Sequence, residues 1–251
     1  MEDLAKIIDQ QYIYTFLLLF ARILAFMAFM PIFGHKNIKP TLRVSLSFFF
    51  TIFLFSLVDT SVVNIKTDMD FIKGIISELT LGFVSAVLVQ IIFSAVQIIG
   101  DLIGMATTLS MAKMFDPTTA TSQGVISRFL YMILLVLYFQ TGMYEATLVM
   151  VGSSINMIHL GEFNIANYNL IKIAATEVTN MFLFAFTFSF PLFFIGFVLD
   201  VYYGYGTKSM PAFSPFIVTF QIKFTLIFIF LMLGLDVFAT TIQDYFINKL
   251  S

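Results

Sequence analysis

Two stretches of the chain, Leu79 to Gly100 and Val178 to Leu199, each run for 22 residues without an Asp, Glu, Lys or Arg. About 20 apolar residues in α-helix cross the ~30 Å hydrocarbon core of a bilayer. A membrane barrel would instead show segments of about 10 residues alternating apolar and polar. These runs are continuous, so helices are predicted. Composition extends the conclusion to the whole chain. Of its 251 residues 59% are hydrophobic and 11% charged, and mean hydropathy is +0.96. Soluble domains average about 45–50% apolar and about 25% charged, and a soluble core would leave the apolar surplus on the surface, where it drives aggregation. The fold class expected is all-α: a polytopic membrane protein of about six long, partly broken helices arranged as hairpins. A single membrane domain over 1–251 leaves no room for a soluble catalytic domain.

Hydropathy and helix breakers together place apolar segments near 12–33, 41–63, 75–111, 125–158, 170–203 and 213–247. Pro31 and Gly34 close the first, and Pro40 opens the second at a position where a helix accepts proline. Asp59, Lys66, Asp68, Asp70 and Lys73 mark a polar connection before the third. Loop lysines and arginines leave orientation open. Lys36, Lys39, Arg43, Lys113, Arg128 and Lys208 on one side balance Lys6, Lys66, Lys73, Lys172 and Lys249 on the other. The acidic Met1-Glu2-Asp3 start lacks the positive region of a secretory signal, so an uncleaved first helix is expected. Tryptophan is absent, which leaves tyrosines such as Tyr12, Tyr14, Tyr202, Tyr203 and Tyr245 for an interfacial belt.

Several function classes are excluded. A net charge of −2 without a basic cluster argues against nucleic acid as a partner. The chain has no cysteine, and His35 and His159 are too few for a histidine metal cluster, so neither a metal nor another cofactor is expected. Catalytic signatures are missing. Gly152-Ser153-Ser154 has only His159 nearby, which favours a small-residue helix contact over a nucleophile. The chain reads as no enzyme. Most of the 33 phenylalanines read as apolar filler.

Charges within apolar segments carry the functional signal, because each costs about 2.5–3.5 kcal/mol or more at the bilayer centre unless paired or wetted. They are Arg22, Glu78, Asp101, Glu145, Glu177, Asp200, Lys223 and Asp236. Ion pairs between helices or subunits would satisfy them, and so would a proton or cation path. Spacing does not assign partners, since no acid lies three or four residues from Arg22 or Lys223. Gly100-Asp101-Leu102-Ile103-Gly104 is a GxxxG pattern that permits close helix packing. Beyond it, Met105 to Met111 is uncharged and Lys113-Met114-Phe115-Asp116-Pro117 follows. Pro117 lacks a backbone donor and disfavours helix at Asp116. Irregular backbone at membrane depth survives only when buried in protein or lining an aqueous path. Loop 105–122 therefore reads as a pore-lining or pore-closing segment, with an ordinary surface loop as the alternative.

The C-terminal third resembles the FliR family of flagellar export-gate proteins, whose injectisome relatives are called SctT. The family spacing of proline, acid, glycine and base is met by Pro191, Asp200, Gly204 and Lys208, and continues through Pro211, Ser214, Phe216 and Lys223. Lys208 stands for the family's Arg and loses its planar fork; Ser214 stands for Asn and Ala212 for Gln. The middle is similar through Gly100, Asp101, Gly104, Ser110, Ala112, Asp116 and Pro117, with Thr108 where glycine is common. Arg22, Pro31, Pro40 and Arg43 fit the first hairpin, so the resemblance covers about 20–235.

The resemblance implies a fold like a joined FliP and FliQ. It further implies a place with FliP and FliQ, next to FlhB and FlhA, in a flagellar export gate of the bacterial inner membrane, at the flagellar basal body. Unfolded flagellar proteins would leave the cytoplasm through that gate. In the family the stretch after the second glycine plugs the conduit. Here Met105, Thr108, Ser110, Met111, Met114, Phe115, Asp116 and Pro117 would form that plug, methionine adapting to irregular gaps as a gasket. Gly100 and Gly104 would pack helices, and Arg22, Asp101, Asp200, Lys208 and Lys223 would make assembly ion pairs. The rival class is a secondary transporter or ion channel working through Asp101, Glu145 and Glu177, against which the lack of paired halves counts.

Overall fold

Residues 10–34, 38–56, 58, 65, 67–107, 124–164, 169–209 and 215–250 are described by the computed structural model. Among them are eight α-helices and no strand. They are α1 (Gln10–Phe29), α2 (Pro40–Phe55), α3 (Asp68–Ala106), α4 (Val125–Gln140), α5 (Met143–Met157), α6 (Leu170–Ser209), α7 (Pro215–Leu233) and α8 (Leu235–Leu250). Each of the six predicted apolar segments contains one helix or one broken pair.

The ends have local causes. Gly34 donates to the Met30 carbonyl at 2.7 Å, and Arg43 Nε donates to the Phe33 carbonyl at 3.0 Å, closing the connection between α1 and α2. Helix α3 starts at 68, earlier than expected, because Thr67 caps it. The Asp70 amide donates to Thr67 Oγ1, whose hydroxyl donates to Asp70 Oδ2, and Asp68 and Asp70 sit in the positive first turn. Asn169 Oδ1 caps α6 in the same manner by accepting the Lys172 amide. Two apolar segments split. Thr141 and left-handed Gly142 (φ 75°) stop α4, and Gly234 separates α7 from α8, with the axes bent by 56°.

The chain groups into two compact units, residues 1–91 with 144–177 and residues 92–143 with 178–251. In the first, α1 and α2 form an antiparallel hairpin: Tyr12 meets Phe55, Phe16 meets Phe48 and Phe55, and Phe20 meets Phe48, at ring separations of 5.6–6.4 Å. Leu18, Leu19, Ile23 and Phe26 of α1 are fully buried. Buried Thr15, Ser47 and Thr51 donate to the carbonyls of Gln11, Arg43 and Ser47 in their own helices, which satisfies hydroxyls in an apolar setting. In the second unit buried Phe93 packs edge-on with Tyr131 and Tyr138, Tyr138 with Phe246, and Phe184 stacks on Tyr245 at 4.2 Å.

Helices α1, α3 and most of α6 are long and apolar enough to cross a membrane, and each bent pair qualifies when counted as one span. With 16 residues, α2 reaches only about 24 Å. Helix α6 carries Pro191 in its interior and leaves most of its length exposed, including Phe182, Leu183, Phe186, Phe190, Phe194, Phe197, Val201 and Tyr205.

Candidate functional site

Four of the eight intramembrane charges, which sequence spacing does not pair, are joined across helices. On α1, Arg22 Nε donates to Glu78 Oε2 at 2.5 Å and Nη2 donates to Oε1 at 3.2 Å, a two-pronged pair with 1% and 0% of the side chains exposed. Nη2 also donates to the Ile158 carbonyl and Nη1 to Ser154 Oγ, while Glu78 Oε1 accepts the Gly161 amide at 2.7 Å. Such a charge pair is stable in a dry interior only when its remaining donors and acceptors are satisfied as well, and these contacts do so. Gly161 has φ 84°, a left-handed turn that suits glycine and brings its amide to the carboxylate.

One face of α3 makes this approach possible. Gly74, Glu78 and Gly82 recur every four residues. A Cβ on Gly74 would meet Leu18 Cδ2 at 3.0 Å, and one on Gly82 would collide with the Arg22 carbonyl. The missed signal was this Gly-x3-Glu-x3-Gly spacing, which places a carboxylate between two glycines on a helix contact face.

The second pair lies between α6 and α7. Lys223 Nζ donates to Asp200 Oδ2 at 2.7 Å, with Lys223 2% exposed and Asp200 57% exposed. Asp200 again sits between glycines, Gly196 and Gly204. A Cβ on Gly196 would touch Ala106 at 3.0 Å, whereas one on Gly204 would meet nothing within 4 Å among the described residues. Arg22 and Lys223, expected among contacts to other subunits, therefore find carboxylates within their own unit. Asp200 and Lys208 are exposed.

Asp101 lies on the part of α3 that leads into the predicted plug, and its Oδ1 accepts from Ser127 Oγ at 2.7 Å. A Cβ on Gly100 would collide with the Ser127 backbone, and Ser127 Oγ also reaches the Gln97 carbonyl. Gly104 differs, with nothing among the described residues within 4 Å of an added Cβ. Met105 is exposed on the last turn of α3. Thr108, Ser110, Met111, Met114, Phe115, Asp116 and Pro117 lie outside the described residues. Of the transporter carboxylates, Glu145 accepts from the adjacent Tyr144 hydroxyl at 2.8 Å. A Cβ on Gly152 would lie 3.7 Å from Leu54 Cδ2, at ordinary van der Waals distance.

Long apolar helices with two ion pairs formed between them define a polytopic helical membrane protein. Residues 13–248 match the family described as bacterial export proteins, family 1, and the chain belongs to that family. Among its relatives, the flagellar biosynthetic protein FliR of Bacillus subtilis (strain 168) is 26% identical over 234 residues, covering 92% of this chain and 90% of the relative. The FliR of Aquifex aeolicus (strain VF5) is 24% identical over 241 residues, covering 96% and 93%. That of Caulobacter vibrioides is 24% identical over 232 residues.

Proposed function

We propose that this chain is a non-enzymatic core subunit of a flagellar type III protein export gate in the bacterial inner membrane, at the flagellar basal body. It assembles there with FliP and FliQ, with FlhB and FlhA adjacent, and unfolded flagellar proteins pass through the channel. The observation that carries this reading is the near full-length similarity to several proteins named FliR. The exposed apolar length of α6 and the half-exposed Asp200 support it, since both suit contact with other subunits.

Within this reading loop 105–122 is the plug. Support comes from its flanks: α3 at Gly100 and Asp101 is clamped to α4 at Ser127, so the chain leaves and returns through one fixed helix contact. A closing segment needs rigid anchors, because a wandering loop cannot hold back ions while still yielding to a protein chain. Hydrophobic constrictions close by excluding water, which suits Met105, Met111, Met114 and Phe115. Deleting 106–113, or placing Asp at Thr108, is expected to raise ion leak and slow growth; unchanged membrane tightness would sink the plug assignment. Reversing exposed Lys208 to Glu is expected to abolish co-purification with FliP, and intact assembly would refute its role in contact.

A further inference from the structure

A cleft of about 460 Å³ opens between α3 and the segment that follows α5, lined by Lys73, Ile76, Ser77, Thr80, Glu162 and Asn164 among others. Two consecutive side chains of α3 build it. Ser77 Oγ donates to the Phe163 carbonyl at 2.5 Å, and Glu78 holds the Gly161 amide, so residues 161–163 are bolted along the helix rather than loosely draped. The volume falls in the usual range for small-ligand sites, about 300–1,000 Å³.

The hydrogen-bonding capacity of the lining narrows the ligand. Ser77 and Thr80 have spent their protons on the carbonyls of Phe163 and Ile76, the latter at 2.6 Å. Toward the cleft both oxygens can only accept. Glu162 adds an exposed carboxylate, another acceptor, and Lys73 an exposed ammonium with three donors. Among the described residues no ion pair joins Lys73 to Glu162. Apart from Asn164, whose amide both donates and accepts, the cleft thus offers one cation together with a group of acceptors. Its complement is a ligand with one anion and one ammonium that still carries N–H donors.

The surroundings supply the rest of the ligand. Met69, Ile72, Ile76, Leu79 and Phe83 are exposed at alternating spacings of three and four, a continuous apolar stripe on α3. Ile76 belongs to both cleft and stripe, and Leu79 and Phe83 carry the stripe into the charge-free run 79–100. We infer that the cleft binds the phosphoethanolamine headgroup of a phospholipid. Lys73 takes the phosphate, and Glu162 with the Ser77 and Thr80 oxygens takes the ammonium, while the acyl chains lie along Leu79 and Phe83. A choline headgroup has no N–H to offer those acceptors, and a glycerol headgroup has no cation.

Native mass spectrometry of the purified full chain tests this, with dioleoyl phosphatidylethanolamine, phosphatidylcholine and phosphatidylglycerol titrated separately alongside soluble phosphoethanolamine. Retention is expected in the order ethanolamine, then glycerol or choline, with phosphoethanolamine alone weaker than the lipid. Lys73→Gln should weaken the ethanolamine lipid about fivefold, the loss of one lysine's attraction near a headgroup. Glu162→Gln should abolish the preference for ethanolamine over choline. Both residues are exposed, so the fold tolerates these changes, and an unchanged thermal midpoint checks it. Equal retention of ethanolamine and choline lipids, or variants that bind like the parent, would overturn the inference. So would soluble phosphoethanolamine binding as tightly as the lipid, or a photocrosslinker at position 76 that captures a protein helix instead of lipid.

Discussion

The chain carries the spacing Gly-x3-acid-x3-Gly twice with opposite outcomes, as Gly74, Glu78 and Gly82 on α3 and as Gly196, Asp200 and Gly204 on α6. On α3 both glycines are covered by α1, and the carboxylate is sealed beneath Arg22 with every prong answered. On α6 a Cβ at Gly196 would press on Ala106, one at Gly204 would meet nothing within 4 Å among the described residues, and the carboxylate is 57% exposed although its lysine is buried. Glycines on both sides let a partner helix come close enough for a charge to reach the acid. The first copy is sealed within the unit, whereas in the second the carboxylate stays more than half exposed. A sealed pair and a half-exposed one can therefore share one sequence pattern, and only the partner helix tells them apart.

The comparison is broken most directly at Glu78. Glu78→Ala leaves the Arg22 guanidinium buried without its anion, and a loss of about 3–5 kcal/mol is expected, read as a lowered thermal midpoint in detergent and low abundance in the membrane. Replacing the whole pair, Arg22→Met with Glu78→Leu, should recover most of that loss, since an apolar pair of similar volume removes the stranded charge. A double variant as unstable as the single one would show that the pair acts through something other than charge compensation.

At the open copy the two partners should be unequal. Asp200→Ala strands a buried ammonium and is expected to cost about 2–3 kcal/mol, whereas Lys223→Met strands a carboxylate that water or another subunit can reach, costing about 1 kcal/mol. Equal thermal shifts for the two variants would contradict the half-open description. The glycines sharpen the contrast further. Gly82→Ala forces a methyl into the Arg22 carbonyl and should destabilise by about 1–3 kcal/mol. Gly204→Ala relieves a helical glycine and should stabilise the isolated chain by up to about 1 kcal/mol, a gain measurable in the same unfolding assay.

Much of this architecture is legible along the chain because its signals are local. Pro31, Gly34 and Pro40 mark the first turn, and the charge-free runs at 79–100 and 178–199 lie inside α3 and α6. Local signals read too coarsely were missed: the Thr67 cap sits within residues taken for a connection, and Thr141-Gly142 and Gly234 interrupt stretches whose hydropathy stays high. The charge pairs were illegible for a different reason. Arg22 and Glu78 are 56 positions apart, and Asp200 and Lys223 are 23 apart, so the i+3 and i+4 neighbours of each charge carry no trace of its partner. Glycines flanking an acid at four-residue intervals are the one local mark of such a pair, and they do not name the helix that answers.

Helix α6 also sets a problem of height. Its exposed apolar residues recur from Ile171 to Tyr205, which at 1.5 Å per residue is about 51 Å of greasy surface. The hydrocarbon slab is about 30 Å thick, and even a helix leaning by about 40°, the upper end of observed tilts, runs only about 39 Å within it. More than 10 Å of this length lies beyond the hydrocarbon, and the ends that exceed it carry exposed Lys172 and Asp200 among their apolar residues. The charge-free run 178–199 by itself is about 33 Å long, close to the thickness of the slab. The two ends of α6, mixed in polarity, are therefore the part of the helix suited to headgroups or to other proteins, and the charge-free middle is the part suited to hydrocarbon.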